Sequence, residues 1–368
     1  MEINIYKPKR FLDIKNPEEL ENLLFNSSYE WQYASNGKSC IYHILKSLNV
    51  KHILLPVYSC DSILKTVNSL GINSSFYDVK LDDLNPCVVS IAKKLNENTD
   101  IDAILAVSLY GNPANFSGIL KILNSLERQG RKVNLIDDAA QAYGAVCSNG
   151  YIGTLGDAGF FSFSPGKPTS GPFGAYFWTS NPSYSFVKTR HRIYRRLKWY
   201  TFKKNRYYVD EASPKLVDKI LTRVTELLPR AFFDIKFDLP EDFELMIHRQ
   251  VLTANLDKNK RGDKLSELEA IISKSNSIYT IKREDGANSY KLVLIVDQIR
   301  TKDRLCYHLD NSNIYYSNGY CPQDVNLSDC PNMKSLFGRI IEMPIDDDTD
   351  KHQYMKLFFK NWIKSHDS

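Results

Sequence analysis

An α/β fold with a largely parallel sheet is predicted for this 368-residue chain. Short apolar strand patterns alternate with helical ones up to about Phe163, each strand is only four or five residues long, and the texture changes after about Val251. The chain is too long for one ordinary core and suits a large domain with a smaller one behind it. The expected division is 1–245 and 246–368, the second part a smaller α+β domain.

The elements follow in order. Asn16, Pro17 and Glu19 form a capping signature for an early helix. A helix over Ser39–Leu48 leads to a strand at His52–Leu55, and a helix over Ser62–Leu70 to a strand at Ser75–Val79. A helix near Val88–Leu95 precedes a strand at Ala103–Val107. A helix over Gly118–Arg128 precedes a strand at Lys132–Ile136. In such sheets ligands gather at the carboxyl ends of the strands, which directs attention to Pro56–Ser59, Ser108–Tyr110 and Asp137–Gln141. Beyond the change of texture come a polar helix pattern over Val251–Ile272, strand patterns at Ser289–Val296 and Ile314–Tyr316, and a terminal helix over Lys351–Ile363.

Composition narrows the class. Hydrophobic residues make up 43% and charged residues 25%, ordinary values for a globular protein. A net charge of +5 suits an anionic small molecule and is too weak to argue for nucleic acid. The seven cysteines stand singly, with no CxxC pair, so no disulfide framework is expected and a cytoplasmic location is. Residues Met1 to Asp13 lack the apolar core of a signal peptide. No apolar run approaches the roughly 20 residues of a membrane span.

Four segments carry candidate chemistry, each with a plainer alternative. In Asp137-Asp138-Ala139-Ala140-Gln141 a carboxylate at a strand end suits a cationic ring nitrogen, and equally a helix cap. Lys167 follows a strand broken at Pro165 and Gly166. A desolvated lysine there is a nucleophile, although most lysines are surface residues. Asn36-Gly37-Lys38-Ser39 opens a helix and reads as an anion site or a simple cap. It is no P-loop, because the required earlier glycine is Gln32. The stretch 188–206 interleaves Arg and Lys with aromatic residues, which fits a diphosphate, nucleic acid or an anionic membrane as well as a solvated helix face. Gly150, Gly153 and Gly156 read as turns. Metal-ligand spacing and a GxSxG elbow are both absent, so no metal is expected.

In order along the chain, these segments resemble one family, the sugar aminotransferases of the DegT/DnrJ/EryC1/StrS type. Ser35 to Ser39 resembles its phosphate loop, Leu55 to Cys60 its next strand end, and Leu109 to Ala114 its LYGxPA run. Ile136 to Ala145 is similar to its EDAAQAxGA run, and Gly153 to Lys167 to its GxxGDAGxFSFxPGK run. Cys330–Met333 and Met343–Ile345 resemble its CPxAE and LPL runs.

The resemblance implies the type I fold of pyridoxal-phosphate enzymes, with a mostly parallel seven-stranded sheet and a smaller C-terminal α+β domain. It implies pyridoxal 5'-phosphate as cofactor, with Lys167 as the catalytic residue that holds its aldehyde and moves protons on the substrate. Asp138 would pair with the ring nitrogen and keep it protonated. Gln141 would approach the phenolic oxygen. Ser162, Gly37, Lys38 and Ser39 would hold the phosphate, and Cys60 stands where many relatives stack an aromatic ring. The implied substrates are a nucleotide-linked keto-sugar and an amino-acid donor, with glutamate the first expectation, in amino-sugar and polysaccharide biosynthesis such as O-antigen assembly. A homodimer with shared active sites is implied too. The family's dehydratase branch carries His in place of the lysine, so Lys167 favours transamination. Ser108 replaces a frequent His, Pro168 to Pro172 replace a Gly-rich turn, and no match to the partner-subunit Asn-x-Arg element is found. A lipid-linked or non-sugar substrate, and a non-catalytic binding protein on the same scaffold, are the rival expectations.

Overall fold

The computed structural model describes residues 29–34, 36–164, 166–168, 174–184, 258–323, 326–345 and 349–366. The helix predicted after Asn16, the basic aromatic stretch 188–206 and the turn at 169–172 lie outside the described residues.

The alternation of strands and helices expected from the sequence is observed, with shifts of one or two residues at the ends. Strand β1 is Gln32–Ala34 and helix α1 is Gly37–Ser47. Then come β2 (His52–Pro56), α2 (Asp61–Ser69), β3 (Asn73–Tyr77), α3 (Val88–Glu97) and β4 (Ala103–Val107). Helix α4 (Phe116–Arg128) leads to β5 (Asn134–Asp138). A short hairpin, β6 (Val146–Cys147) and β7 (Gly150–Tyr151), precedes β8 (Ala158–Ser162) and β9 (Ala175–Thr179).

Seven strands form one sheet in the order β1-β9-β8-β5-β4-β2-β3. The run β3-β2-β4-β5-β8 is parallel and β9 is antiparallel to β8. All five residues of β4 are buried, the pattern of a parallel strand covered on both faces. The two faces separate by period-2 alternation. Ile53, Leu55, Leu105, Val107, Ile136 and Phe160 pack with α1 and α2. Leu54, Ile104, Ala106, Leu135 and Phe161 pack with α3 and α4 on the other side. The glycines 153 and 156 are turns, at φ +96 and +90, and a Cβ on Gly156 would lie 2.6 Å from the Leu135 carbonyl oxygen.

A second sheet is antiparallel, in the order β10 (Ile278–Thr280), β11 (Lys291–Val296), β12 (Ile340–Pro344). Its outer face packs on helix α5 (258–272), α6 (Ile299–Asn311) and α8 (Thr349–His366) through Leu268, Leu292, Leu309, Met343 and Phe359. Its inner face sends Val293, Ile295 and Ile340 into the α1 side of the first core. Lys291 and Glu342 stand on that same inner face by alternation. Residues 314–316 form no strand, contrary to the sequence reading. Only Ser317 bridges to Glu342 there. Their apolar content serves the small core instead, through Ile314 and Tyr316.

Asp78, just after β3, ties the first sheet to the segment that precedes β12. It is buried, and its carboxylate accepts from the amides of Asn332 (2.8 Å) and Met333 (2.9 Å), which open the short helix α7 (Pro331–Leu336). Met333 and Leu336 are thereby set into the first core. Asp78→Ala leaves these donors unpaired, and a loss of about 2 kcal/mol is expected in urea unfolding. Among the described residues no helix is long and apolar enough to cross a membrane.

Candidate active site

The site is assembled at the carboxyl ends of β2, β4, β5 and β8, where the loops 57–60, 108–112, 139–141 and 162–167 meet. Alternation decides which carboxylate takes part. Asp137 falls on the α4 face, and its Oδ2 accepts from the Gly153 and Leu155 amides at 2.5 and 3.1 Å, closing the 153–155 loop. Asp138 falls on the α1 face with Phe160 and Ser162. Its Oδ1 accepts from the Ala140 amide at 2.9 Å, so this carboxylate does cap a turn. Its Oδ2 has no hydrogen-bond partner among the described residues. Burial raises its pKa to about 6, against the opposing pull of the Ala140 amide and the Lys167 amine.

Helix α1 begins beside this carboxylate. The Asn36 Oδ1 accepts from the Ser39 amide at 3.1 Å, a standard N-cap bond, so both readings of this segment apply at once. The Ser39 amide is engaged by the cap, and the Gly37 and Lys38 amides stand ahead of it at the positive end of the helix. A Cβ on Gly37 would lie 3.7 Å from the Ser162 Oγ, so hydroxyl and helix start share one small corner. Lys38 is exposed, and its charge reaches Asp61 at the start of α2. Cys60 occupies the cap position of α2 without capping it, its Sγ 3.1 Å from the Ser62 Oγ.

Lys167 follows Gly166, whose φ of +80 turns the chain back after β8. Its amide donates to the Ser164 carbonyl at 3.3 Å. Burial of the amine lowers its pKa, while Asp138 and Cys60 act in the opposite direction. The nearby Lys291 charge adds to the lowering. The buried Arg261 of α5 reaches the next carbonyl, that of Pro168, at 3.5 Å and holds the Asn288 Oδ1 at 2.7 Å.

Gln141 is engaged on both ends. Its Oε1 accepts from the Tyr110 amide (3.2 Å) and the Tyr290 hydroxyl (2.9 Å), and its Nε2 donates to the Tyr320 hydroxyl (3.0 Å). Tyr110 is held in the left-handed region at φ 56, and its hydroxyl donates to the Glu342 Oε1 at 2.6 Å. Lys291 meets the other Glu342 oxygen at 2.5 Å. The sequence reading missed Tyr290, Tyr320, Lys291 and Glu342, and placed Tyr58 and Tyr110 at strand ends without assigning them a role. One signal was available: a glutamate inside the apolar run Ile340–Pro344.

The structure thus brings Lys167, Asp138, Ser162, Gly37, Ser39, Gln141 and Cys60 to one end of the sheet, with the Lys38 side chain at its rim. An anion corner, a buried carboxylate and a desolvated amine lie together. That donor set fits a phosphorylated, cationic ring aldehyde.

Comparison with known proteins agrees. Residues 33–195 match the model of the DegT/DnrJ/EryC1/StrS aminotransferase family. The chain is 33% identical over 110 residues to the GDP-4-keto-6-deoxy-D-mannose 3-dehydratase of Escherichia coli O55:H7, covering 30% of this chain and 26% of that one. It is 29% identical over 142 residues to the GDP-perosamine synthase of Escherichia coli O157:H7, covering 37% of each. Both alignments span well under half of the relatives' lengths. The fold is similar to a DegT DnrJ EryC1 StrS aminotransferase from Brucella abortus, with a TM-score of 0.69 at 17% identity over 94% of this chain and 88% of that one. This is the mostly parallel α/β architecture of fold type I, and over residues 33–195 the chain is similar to the DegT/DnrJ/EryC1/StrS aminotransferase family.

Proposed function

We propose that the chain is a pyridoxal-phosphate-dependent aminotransferase that passes an amino group from glutamate to a keto-sugar carried on a nucleotide. The observation that carries this reading is Lys167, an amine with a lowered pKa within the field of the buried Asp138. The names of two relatives, a GDP-perosamine synthase and a dTDP-3-amino-3,6-dideoxy-alpha-D-galactopyranose transaminase, support the sugar. A 3-dehydratase is among the relatives too, and the retained lysine favours transamination over that chemistry.

When bound, the cofactor supplies an electron sink for the carbon that loses or gains the amino group. The chain's own groups do the rest. The Gly37 and Lys38 amides, the Ser162 hydroxyl and the Lys38 charge hold the phosphate. Asp138 would pair with the ring nitrogen; its pKa, raised to about 6, leaves the carboxylate largely charged at neutral pH, and a cation beside it would lower that pKa further. Lys167 acts first as nucleophile and then as the base that moves a proton on the substrate. Its lowered pKa enlarges the uncharged fraction available at neutral pH.

The wider reading places the enzyme in the cytoplasm as a homodimer with shared active sites, feeding a surface polysaccharide such as an O-antigen. The division 1–245 and 246–368 is supported by the separate core around the three-stranded sheet. Incubation with glutamate and a panel of nucleotide-linked keto-sugars tests the proposal. Formation of 2-oxoglutarate and an amino-sugar is expected, and their absence across the panel sinks it.

A further inference from the structure

Lys291 opens β11, and alternation turns its side chain to the inner face of the small sheet, the face that meets the large core. It lies between two residues that both hold Gln141, the Tyr290 hydroxyl at 2.9 Å and the Tyr110 amide at 3.2 Å. The ammonium is 5.7 Å from the Tyr290 ring centre and 5.9 Å from that of Tyr110, at the outer limit of a cation–π contact. Its charge is felt at Lys167.

The ion pair with Glu342 is unevenly satisfied. The Glu342 side chain is 4% exposed and both of its oxygens are engaged. Its Oε1 accepts the Tyr110 hydroxyl at 2.6 Å, and its Oε2 accepts Lys291 at 2.5 Å and the Ser317 hydroxyl at 3.3 Å. Tyr110 and Ser317 also stabilise the carboxylate, so it does not depend on Lys291 alone. The Lys291 side chain is 20% exposed, and its ammonium has three protons to give. Glu342 is its one acceptor among the described residues. A mostly buried ammonium with two N–H groups left over has lost much of its hydration without full replacement.

Its place in the sheet decides what it meets. The anion corner of Gly37 and Ser162 stands at the end of β8, and Tyr110, which carries Glu342 and Lys291 with it, stands past the end of β4. Asp138, on β5, lies between them. A ligand whose phosphate fills the first corner leaves the second cation for a different anion. In amino transfer that anion is supplied by the donor.

We propose that Lys291 binds a carboxylate of the amino donor, with Glu342 holding the ammonium in place and tempering its charge. The subsite rests on the aminotransferase reading and adds to it the group that selects an anionic donor. A charge-assisted bond of this kind is stronger than a neutral one, and an amine without a carboxylate leaves the two N–H groups unmatched.

The test compares cofactor-loaded wild type, Lys291→Gln, Glu342→Gln and the double variant, with melting temperatures as the check on folding. One readout is bleaching of the visible band by glutamate. The other is calorimetric binding of glutarate, which has carboxylates and no amine to react. Lys291→Gln is expected to raise both half-saturating glutamate and the glutarate Kd by about tenfold or more. Glu342→Gln removes a competing anion and keeps the cation, so glutarate should bind more tightly. The opposite signs separate a binding cation from a purely structural ion pair, whose loss weakens binding in either variant. The double variant leaves no buried charge unpaired and must keep the loss, which decides the matter if Lys291→Gln alone does not fold. Glutamine as a competitor tells the two carboxylates apart. Its binding weakens in Lys291→Gln if the α-carboxylate is held, and is spared if the side-chain carboxylate is held. Three results overturn the subsite: weakening in both single variants, a loss confined to the keto-sugar half-reaction, or glutamate and glutarate within about twofold of wild type in Lys291→Gln. A wild type without a Lys167-dependent band fails the aminotransferase reading, and the glutarate comparison still decides the role of Lys291.

Discussion

Lys167→Ala is expected to take up pyridoxal phosphate without a lysine-dependent visible band and to lose transamination by about 10³-fold or more. Removing a positioned proton carrier alone costs typically 10²–10⁴-fold, and this variant loses the nucleophile as well. Lys167→Arg is the informative companion. It preserves the positive charge near Asp138 and lacks a free amine, so it should be as inactive as the alanine variant. Visible spectra and single-turnover assays with glutamate check both. A band of wild-type intensity in Lys167→Ala would assign the amine elsewhere, with Lys291, whose charge Lys167 feels, the alternative to test.

Asp138→Asn gives the second large effect, in two readouts. A neutral amide cannot balance a ring cation, and a fall of about 10²-fold or more in amino transfer is expected. The cofactor-free protein offers an independent test. Burial raises the Asp138 pKa from 3.8 to about 6. Between those values the native state holds a proton that the unfolded chain has released. A native state that binds more protons loses stability as pH rises, so the contribution is full below about pH 4 and lost by about pH 6. A rise of that size corresponds to about 3 kcal/mol, and Asp138→Asn has no such dependence on pH. Urea unfolding at pH 4 and pH 7 should show wild type losing about 2 kcal/mol relative to the variant, the share of the shift that lies above pH 4. The other carboxylates cancel in the difference. A constant difference across the window would mean that Asp138 is charged or solvated in the cofactor-free protein.

Much of this architecture was readable from the chain because its signals are local. The strands β2, β4 and β5 and the four helices between β1 and β5 follow from periodicity and caps, and the ordered motifs from Asn36 to Lys167 mark the same end of the sheet. Alternation along β5 and β8 alone would have set Asp138 and Ser162 on one face and Asp137 on the other. What stayed hidden depends on contacts far apart in sequence. Tyr110 and Glu342 are 232 positions apart, and Gln141 and Tyr320 are 179 apart. Nothing near Tyr320 announces its place beside Gln141. The strand read at 314–316 failed for a related reason. Its apolar residues fill the small core from a loop, and strand β12 takes the pairing edge of β11.

Tyr110 carries a consequence for how freely this site can change. Its backbone sits at φ 56, a conformation that costs an ordinary side chain about 1–2 kcal/mol and that glycine or asparagine adopts readily. Either replacement would relax the main chain and delete the phenol that joins Glu342 to Tyr58. Selection for thermal robustness and selection for an ordered binding cleft therefore pull this one position in opposite directions. Variants that gain stability at 110 should be sought only where Glu342 and Lys291 change with it, so that no buried charge is left without its partner.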